Sequence, residues 1–409
     1  MQQDTRDTVQ QEIKHAIQQY KAGVILVSVR VGKTLATLMS LKENQKVLVC
    51  YPRVKIKNGW ISDHKKFKSK LASGLDITYT TYASLHKHKE GKYDVVVFDE
   101  VQKASARNLN DLKTIQKNKF VGLTGTLSYK TVNTLQSHNI PIVYKYTTEQ
   151  AIADGLVKDY RITIKMVEPD QALKAIEEKY TFWINEQQNP DSKYSESTIG
   201  YRINRLMLDR KEAIYNNNLT VRYASQFLER NKGKKILCFT TRTDVADMLC
   251  DNSYHTKSKK EDEFEKFLES EGGHLSTVNC ISEGVTIKNL NTVLFQSFDS
   301  NTENFQQKFG RSLLQEFTGE YSSIHVLCLK GTQQEVWLTK MIGDINKHKI
   351  QVQDGNTLMS YYDWVKAQHP GKAMFEYNNS ICYESSKGNY TFLYGYKEYK
   401  LNSRYLKAI

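Results

Sequence analysis

One short segment sets the architecture of this chain: it reads Val24-Ile25-Leu26-Val27-Ser28-Val29-Arg30-Val31-Gly32-Lys33-Thr34. A short apolar run is followed by a loop and then by the helix-like Leu35-Ala36-Thr37-Leu38, which predicts a strand, a turn and a helix. Backbone N–H groups in such a loop, together with a helix N-terminus, are suited to cradle a polyphosphate. In this arrangement Lys33 neutralises the phosphates and the hydroxyl of Thr34 binds Mg²⁺.

The loop supplies the first candidate nucleotide-binding residues, which are Arg30, Gly32, Lys33 and Thr34. It departs from the common phosphate-loop pattern at Val27, in the place where a small residue usually opens the motif. This departure leaves the efficiency of turnover open.

A second apolar run ends in two acids, Val95-Val96-Val97-Phe98-Asp99-Glu100. A buried strand places Asp99 at its carboxyl end, where α/β sheets bind ligands. The Asp99 carboxylate is suited to hold Mg²⁺, and Glu100 to act as the general base that activates the attacking water. Loop and acids together predict a site for ATP and Mg²⁺.

Apolar runs and polar helix-like segments alternate along most of the chain, which predicts an α/β fold with parallel sheets. The pattern breaks in the middle, over a charged and helix-like region at 170–230, and changes again near 355, where Tyr and Lys become frequent. We therefore predict two α/β domains at 1–155 and 156–350 and a small Tyr/Lys-rich C-terminal module at 351–409. The predicted strands are 24–27, 47–50, 76–80, 95–98, 120–123, 234–239, 275–278, 292–295 and 324–328.

Composition points to a polyanionic partner inside the cell. The chain of 409 residues has 58 Lys and Arg against 45 Asp and Glu, a formal charge of +13, which attracts nucleic acid. Six Cys without CxxC spacing argue against a zinc ribbon or a redox pair and fit a reducing compartment. No signal peptide or membrane span is predicted, so we expect a cytoplasmic protein (in the host cytoplasm if it is viral) with no membrane partner.

At Asp99-Glu100-Val101-Gln102 the chain resembles superfamily-two helicases of the DExH/DExQ type, and the region from Val49 to Phe67 resembles chromatin-remodeller-like translocases. The closest likeness within the superfamily is to compact phage or viral DNA helicases, including branch-migration types. The resemblance implies two tandem RecA-like domains. It also implies backbone contacts to nucleic acid from Pro52, Arg53, Lys55, Thr81, Tyr82, Thr124 and Thr126, and an adenine-reading role for Gln10.

Two segments of the second domain match motifs of the same superfamily. Ser282-Glu283-Gly284-Val285-Thr286-Ile287 resembles the motif that links nucleic acid to nucleotide, and Gln307-Lys308-Phe309-Gly310-Arg311 resembles the Gln-x-x-Gly-Arg motif. The resemblance implies nucleotide contacts from Glu283 and Gly284, a catalytic role for Gln307, and an arginine finger at Arg311 that reaches the γ-phosphate. The family's second Arg, three residues later, is replaced by Leu314.

The resemblance therefore implies an ATP-dependent DNA helicase that moves along, unwinds or branch-migrates DNA, with DNA favoured over RNA. Other replication or recombination proteins are compatible partners. Three alternatives stay open: a translocase on double-stranded DNA that does not separate strands, a packaging ATPase, and a nucleotide-gated clamp with little turnover. Val27 and Leu314 leave room for the clamp. The acidic residues after residue 350 are too few to predict the nuclease domain that packaging ATPases usually carry.

Overall fold

A computed structural model describes residues 2–28, 31–127, 129–258, 261–278, 287–299, 305, 308–313, 321–343, 345–377, 380–393, 398–401 and 406–409. These residues form two compact units. The first contains residues 2–159 together with 308–313, and the second contains the rest. The late segment is attached to the first unit by a backbone hydrogen bond, in which the N–H of Lys158 donates to the carbonyl of Leu313 at 3.1 Å.

The first unit is a parallel sheet with helices. Its strands are β1 Ala22–Val27, β2 Lys46–Tyr51, β3 Asp76–Thr81, β4 Lys92–Asp99, β5 Gln116–Thr124 and β6 Ile142–Tyr146. Its helices are α1 Gln2–Gln19, α2 Lys33–Ser40, α3 Lys55–Lys66, α4 Ala106–Thr114, α5 Tyr129–Gln136 and α6 Thr148–Ala153. The strand order is β3-β2-β4-β5-β1-β6, and all five neighbouring pairs are parallel.

The central strands of this sheet are the ones that the apolar runs predict. In β2 every residue after Lys46 is buried, and in β4 the last four residues before Asp99 are buried, as expected for strands covered on both faces. β6 was not among the predicted strands. It lies at the sheet edge and mixes exposed with buried residues, so its sequence lacks the continuous apolar run.

The second unit also contains a mainly parallel sheet, in the order β14-β13-β7-β12-β11-β8-β10-β9. Its strands are β7 Asp159–Val167, β8 Lys235–Phe239, β9 Ser253–Tyr254, β10 Gly273–Thr277, β11 Thr292–Phe295, β12 Tyr321–Leu329, β13 Ile350–Asp354 and β14 Thr357–Ser360. Its helices are α7 Gln171–Gln188, α8 Glu196–Tyr215, α9 Asn218–Arg230, α10 Thr243–Leu249, α11 Glu261–Glu269, α12 Gln333–Met341 and α13 Tyr361–Gln368. Helices α7 to α9 occupy the charged region predicted to be helical.

A small antiparallel sheet follows at the C-terminus, in the order β18-β17-β16-β15-β19. Its strands are β15 Met374–Tyr377, β16 Ser380–Ser386, β17 Asn389–Phe392, β18 Glu398–Tyr399 and β19 Leu406–Ala408. The hairpin β13–β14 pairs with β7, so residues 350–360 extend the second sheet instead of the small one. The α/β class, the two parallel sheets and the C-terminal module are confirmed.

The described cysteines are buried and free, namely Cys50, Cys238, Cys250, Cys328 and Cys382. Among the residues that the structure describes, no group of three or more His, Cys, Asp or Glu side chains is arranged to hold a metal ion. None of the described helices is long and apolar enough to cross a membrane.

Candidate nucleotide and magnesium site

Three strands of the first unit bring the predicted nucleotide residues to one edge of the sheet. The register pairs Leu26 of β1 with Thr124 of β5, and Leu123 of β5 with Asp99 of β4. The loop after β1, the acids that end β4 and the turn after β5 therefore emerge side by side. In a parallel sheet this carboxyl edge is where ligands bind.

Gly32 forms the turn from the loop into α2. Its backbone is left-handed, with φ 98° and ψ 40°, and it immediately precedes the first residue of the helix. Arg30 lies outside the described residues. The side chain of Thr34, in the first turn of α2, is half-buried. The N–H groups of that turn have no partner within the helix, which suits them to bind an anion.

Lys33 folds back over its own loop. Its ammonium group donates to the carbonyl oxygens of Val27 at 2.9 Å and of Ser28 at 3.3 Å. The charge of Lys33 also acts on Asp99, whose pKa it lowers. Lys33 thus lies among the loop carbonyls and close to the acid that ends β4, as a phosphate-neutralising lysine requires.

Gln10 of α1 forms a hydrogen bond to the backbone of the loop. Its side chain is 5% exposed, and its amide nitrogen donates to the carbonyl of Val31 at 3.1 Å. The predicted adenine-reading role stays a prediction. The structure adds that Gln10 fixes the last loop residue before Gly32.

We expect Gly32→Ala to weaken nucleotide binding roughly tenfold or more. A β-carbon at this position would lie 2.3 Å from the amide nitrogen of Gln10, and the φ of +98° is itself unfavourable for a residue with a side chain. Backbone strain of this kind costs about 1–3 kcal/mol, and about 1.4 kcal/mol is a tenfold change in affinity. The measurement is titration with a fluorescent ATP analogue. Gly59→Ala is the matched control, because a β-carbon at Gly59 would meet no atom within 4 Å; equal affinity in both variants would contradict the role of Gly32.

Asp99 is held by hydrogen bonds to both of its carboxylate oxygens. The indole N–H of Trp60 donates to Oδ2 at 2.8 Å, and the backbone N–H of Glu100 donates to Oδ1 at 3.0 Å. The surrounding protein raises the pKa of Asp99 to about 6 by desolvation, and the charge of Glu100 raises it as well. The Trp60 hydrogen bond and the Lys33 charge lower this pKa and so favour the ionised form.

Glu100 stands in a strained conformation beside it. Its φ of 53° and ψ of 53° are left-handed, which is uncommon for a residue other than glycine and is often found at functional sites. The side-chain amide of Gln102 donates to Oε2 of Glu100 at 2.5 Å. Gln102, which the sequence marked only as part of the acidic box, therefore orients the candidate general base.

The donor chemistry of this edge fits a magnesium–nucleotide complex. Mg²⁺ prefers oxygen ligands and is usually held by one or two carboxylates together with substrate phosphates and water. The hydroxyl of Thr34 and the carboxylate of Asp99 are such ligands, and Lys33 and the α2 N-terminus supply the positive potential that phosphates need.

The predicted nucleic-acid residues divide into exposed and buried ones. Arg53 is exposed after β2 and Pro52 is half-buried, whereas the side chain of Lys55 lies outside the description. Thr81 ends β3. Tyr82 is 6% exposed, and its hydroxyl donates to the backbone carbonyl of Asp99 at 2.7 Å. The Tyr82 ring therefore supports the acidic strand end and does not face solvent.

Thr124 and Thr126 close the turn after β5. The hydroxyl of Thr124 is fully buried and donates to the carbonyl of Thr126 at 2.6 Å, while the backbone N–H of Thr126 donates back to it at 3.1 Å. The Thr126 hydroxyl is buried without a hydrogen-bond partner among the described residues. This turn is thus fixed by its own side chains next to Asp99.

The predicted residues of the second domain are only partly described. Glu283, Gly284, Gln307 and Leu314 lie outside the described residues. Arg311 belongs to a 3₁₀ turn, Gly310–Ser312, but its side chain is not described. The predicted roles of these residues remain predictions.

Comparison with known proteins identifies one domain and the fold. Residues 219–313 match the helicase conserved C-terminal domain. No curated protein sequence matches the chain. Many solved structures are similar at low sequence identity. Two of them are the ATP-dependent Type ISP restriction-modification enzyme LlaBIII bound to DNA, and a fragment described as an HsdR subunit of a type I restriction enzyme from Vibrio vulnificus YJ016.

The structural likeness extends over most of this chain but over less of its relatives. The LlaBIII comparison has a TM-score of 0.56 and 12% identity, and covers 89% of this chain and 32% of that one. The HsdR comparison has a TM-score of 0.53 and 16% identity, and covers 79% and 64%. The chain thus spans about a third of LlaBIII and less than two thirds of the HsdR fragment. The predicted resemblance is confirmed for the fold and for one domain: the chain shares the fold of these two solved structures and contains a helicase conserved C-terminal domain in residues 219–313.

Proposed function

We propose that this chain is a nucleic-acid-stimulated ATPase that couples ATP hydrolysis to movement along DNA, with unwinding or branch migration as the result. The observation that carries the proposal is the common sheet edge, where the loop of Lys33 and the acids Asp99 and Glu100 lie together. A helicase-type domain in the same chain supports it.

Each residue of the edge has a distinct chemical task. Gly32, Lys33 and the first turn of α2 bind the phosphates of ATP. Thr34 and Asp99 would hold Mg²⁺, which would offset the negative charge that develops on the phosphates. Glu100, oriented by Gln102, takes a proton from the attacking water. From the resemblance, Arg311 is proposed as the arginine finger and Gln307 as a further catalytic residue, with Glu283 and Gly284 as nucleotide contacts.

The proposed nucleic-acid partner is DNA, gripped through its phosphates. The net charge of +13 favours a polyanion, and Arg53, Lys65 and Lys66 are exposed on and next to α3. Contacts of this type position a protein on the backbone without reading bases, so we expect little sequence preference and strong salt dependence. The similar LlaBIII enzyme is ATP-dependent and was solved bound to DNA.

We expect ATP hydrolysis by the purified protein to rise severalfold or more when nucleic acid is added. The test compares ATPase rates with single-stranded, duplex and forked DNA and with single-stranded RNA, at two salt concentrations. Stimulation that is greatest with DNA and falls with salt supports the proposal. It would be falsified if no nucleic acid in the panel gave measurable hydrolysis; ATP-dependent DNA binding without hydrolysis would favour the clamp instead.

A second candidate is a translocase on double-stranded DNA that leaves the strands paired. It is favoured by the segment from Pro52 to Trp60, which resembles that of chromatin remodellers and which forms the turn after β2 and the first half of α3. A strand-displacement assay and a triplex-displacement assay, run on the same preparation, separate the two candidates. Triplex displacement without unwinding supports the translocase.

A further inference from the structure

Helix α3 carries two opposite faces, one toward the metal site and one toward solvent. Ile56 and Trp60 point inward and are 8% and 1% exposed. On the opposite side of the helix Asn58 and Ser62 are exposed, and Lys65 continues this outer face; Gly59 and Lys66 are exposed at its margin. A β-carbon at Gly59 would meet nothing within 4 Å, so the outer face is uncovered at that position.

The inner face of α3 contacts Asp99, the proposed ligand of the magnesium ion. The Trp60 indole N–H donates to Oδ2 of Asp99 at 2.8 Å. An indole nitrogen is only a donor, so it binds an oxygen that is free to accept and stabilises the ionised carboxylate. Because the backbone N–H of Glu100 occupies Oδ1 at 3.0 Å, the two donors together fix the rotation of the carboxylate group.

A second predicted nucleic-acid segment reaches the same residue from another side. The hydroxyl of Tyr82, directly after Thr81, donates to the Asp99 carbonyl at 2.7 Å. The carbonyl of Tyr82 in turn accepts from the side-chain amide of Asn108 at 2.8 Å, which anchors the segment to α4. The two segments for which the resemblance implies contacts to the nucleic-acid backbone therefore both contain a side chain that donates a hydrogen bond to Asp99.

We propose that Trp60 is the positioning residue for Asp99, and that α3 transmits nucleic-acid binding on its outer face to the magnesium ligand on its inner face. This inference rests on the proposed ATPase function and names its regulation. When a nucleic-acid backbone binds the outer face and fixes the position of α3, it also fixes the position of the Trp60 indole N–H. The orientation of the Asp99 carboxylate is fixed with it. Nucleic acid bound on the outer face would hold α3 in the position in which Trp60 donates to Asp99 at 2.8 Å, so more molecules carry the aligned carboxylate and hydrolysis is faster than in the free protein.

The test is Trp60→Phe, which keeps an aromatic ring and removes the N–H donor. We expect about tenfold weaker binding of Mn²⁺, used as a spectroscopic substitute for Mg²⁺, in the presence of a non-hydrolysable ATP analogue, as measured by electron paramagnetic resonance. The Mg²⁺ concentration for half-maximal ATPase rises by a similar factor, and the stimulation by DNA falls severalfold. DNA binding without nucleotide stays within twofold, because the outer face is untouched.

Trp364→Phe is the matched control. Trp364 is likewise buried, at 4% exposure, but its indole nitrogen has no hydrogen-bond partner among the described residues. The same ring replacement there leaves Mn²⁺ binding and DNA stimulation unchanged. If Trp60→Phe fails to fold, Tyr82→Phe removes the other side-chain donor to Asp99, at its carbonyl, and is expected to reduce DNA stimulation in the same direction.

The outcomes separate this inference from the proposed function. A wild-type protein whose ATPase is stimulated by DNA, with a folded Trp60→Phe variant indistinguishable from it in Mn²⁺ binding and stimulation, overturns the inference alone; if Trp60→Phe does not fold, an unchanged DNA stimulation in Tyr82→Phe does so. A wild-type protein without any ATPase refutes the proposed function, and Mn²⁺ binding in Trp60→Phe then still reports whether Trp60 positions Asp99.

Discussion

Replacing Glu100 by Gln is expected to lower the rate of ATP hydrolysis by about 10²–10⁴-fold while leaving ATP binding intact. The amide keeps the size of the side chain but cannot take a proton from water. Glu100 sits at the edge shared by the loop and Asp99, with its carboxylate fixed by the Gln102 amide at 2.5 Å. A loss confined to turnover is the signature of a general base, because the ground-state contacts to ATP are unchanged.

The measurement is single-turnover hydrolysis at saturating DNA, with binding of a fluorescent ATP analogue as the second readout. Glu90→Gln is the control, because it makes the same chemical change at a residue with a similar left-handed backbone. The φ of Glu90 is 63°, against 53° for Glu100. Glu90 precedes β4 whereas Glu100 follows it, so it lies at the opposite end of the strand. Turnover in Glu100→Gln within tenfold of wild type would remove the general-base assignment.

The first sheet was predictable because its central strands are apolar on both faces. Val95 to Phe98 and Val47 to Cys50 form continuous buried runs, whereas a strand at the protein surface would alternate apolar and polar residues. The edge strands β6 and β14 and the neighbouring β13 escaped prediction for the converse physical reason. β6 and β13 mix exposed and buried residues, and β14 has no buried residue. Short runs of this kind are equally compatible with a loop or a helix.

The acids and the loop of the candidate site could be predicted from the sequence, but the side chains that hydrogen-bond to them and hold them in place could not. Lys33, Asp99 and Glu100 follow from strand ends and residue chemistry alone. The contacts Trp60–Asp99 and Gln10–Val31 join residues 39 and 21 positions apart, and depend on how helices pack against the sheet. Tyr82 shows the same limit: its segment was predicted to touch nucleic acid, but packing turns the ring inward to Asp99.

Replacing Lys33 by Ala is expected to abolish nucleic-acid-stimulated hydrolysis, with a loss of at least about 10²–10³-fold, the range measured when one charge-stabilising donor is removed. The Lys33 ammonium donates to the carbonyls of Val27 and Ser28 at 2.9 and 3.3 Å, within the loop that is proposed to hold the phosphates. Unlike Glu100→Gln, this change removes binding as well as turnover, because ground state and transition state both carry the phosphate charge.

A second consequence of Lys33→Ala concerns Asp99. The Lys33 charge lowers the pKa of Asp99, which lies at about 6 in its presence. Without that charge the pKa rises, so a smaller fraction of Asp99 is ionised near neutral pH, and the residual hydrolysis should require a higher pH than in the wild type. The pH profile of ATPase at limiting Mg²⁺ measures this shift, because protons then compete with the ion for the Asp99 carboxylate. Lys42→Ala, at an exposed lysine just beyond the other end of α2, is the control. If Lys33→Ala kept wild-type turnover, the loop would not be a phosphate site, and the proposal would lose the residue on which the whole edge depends.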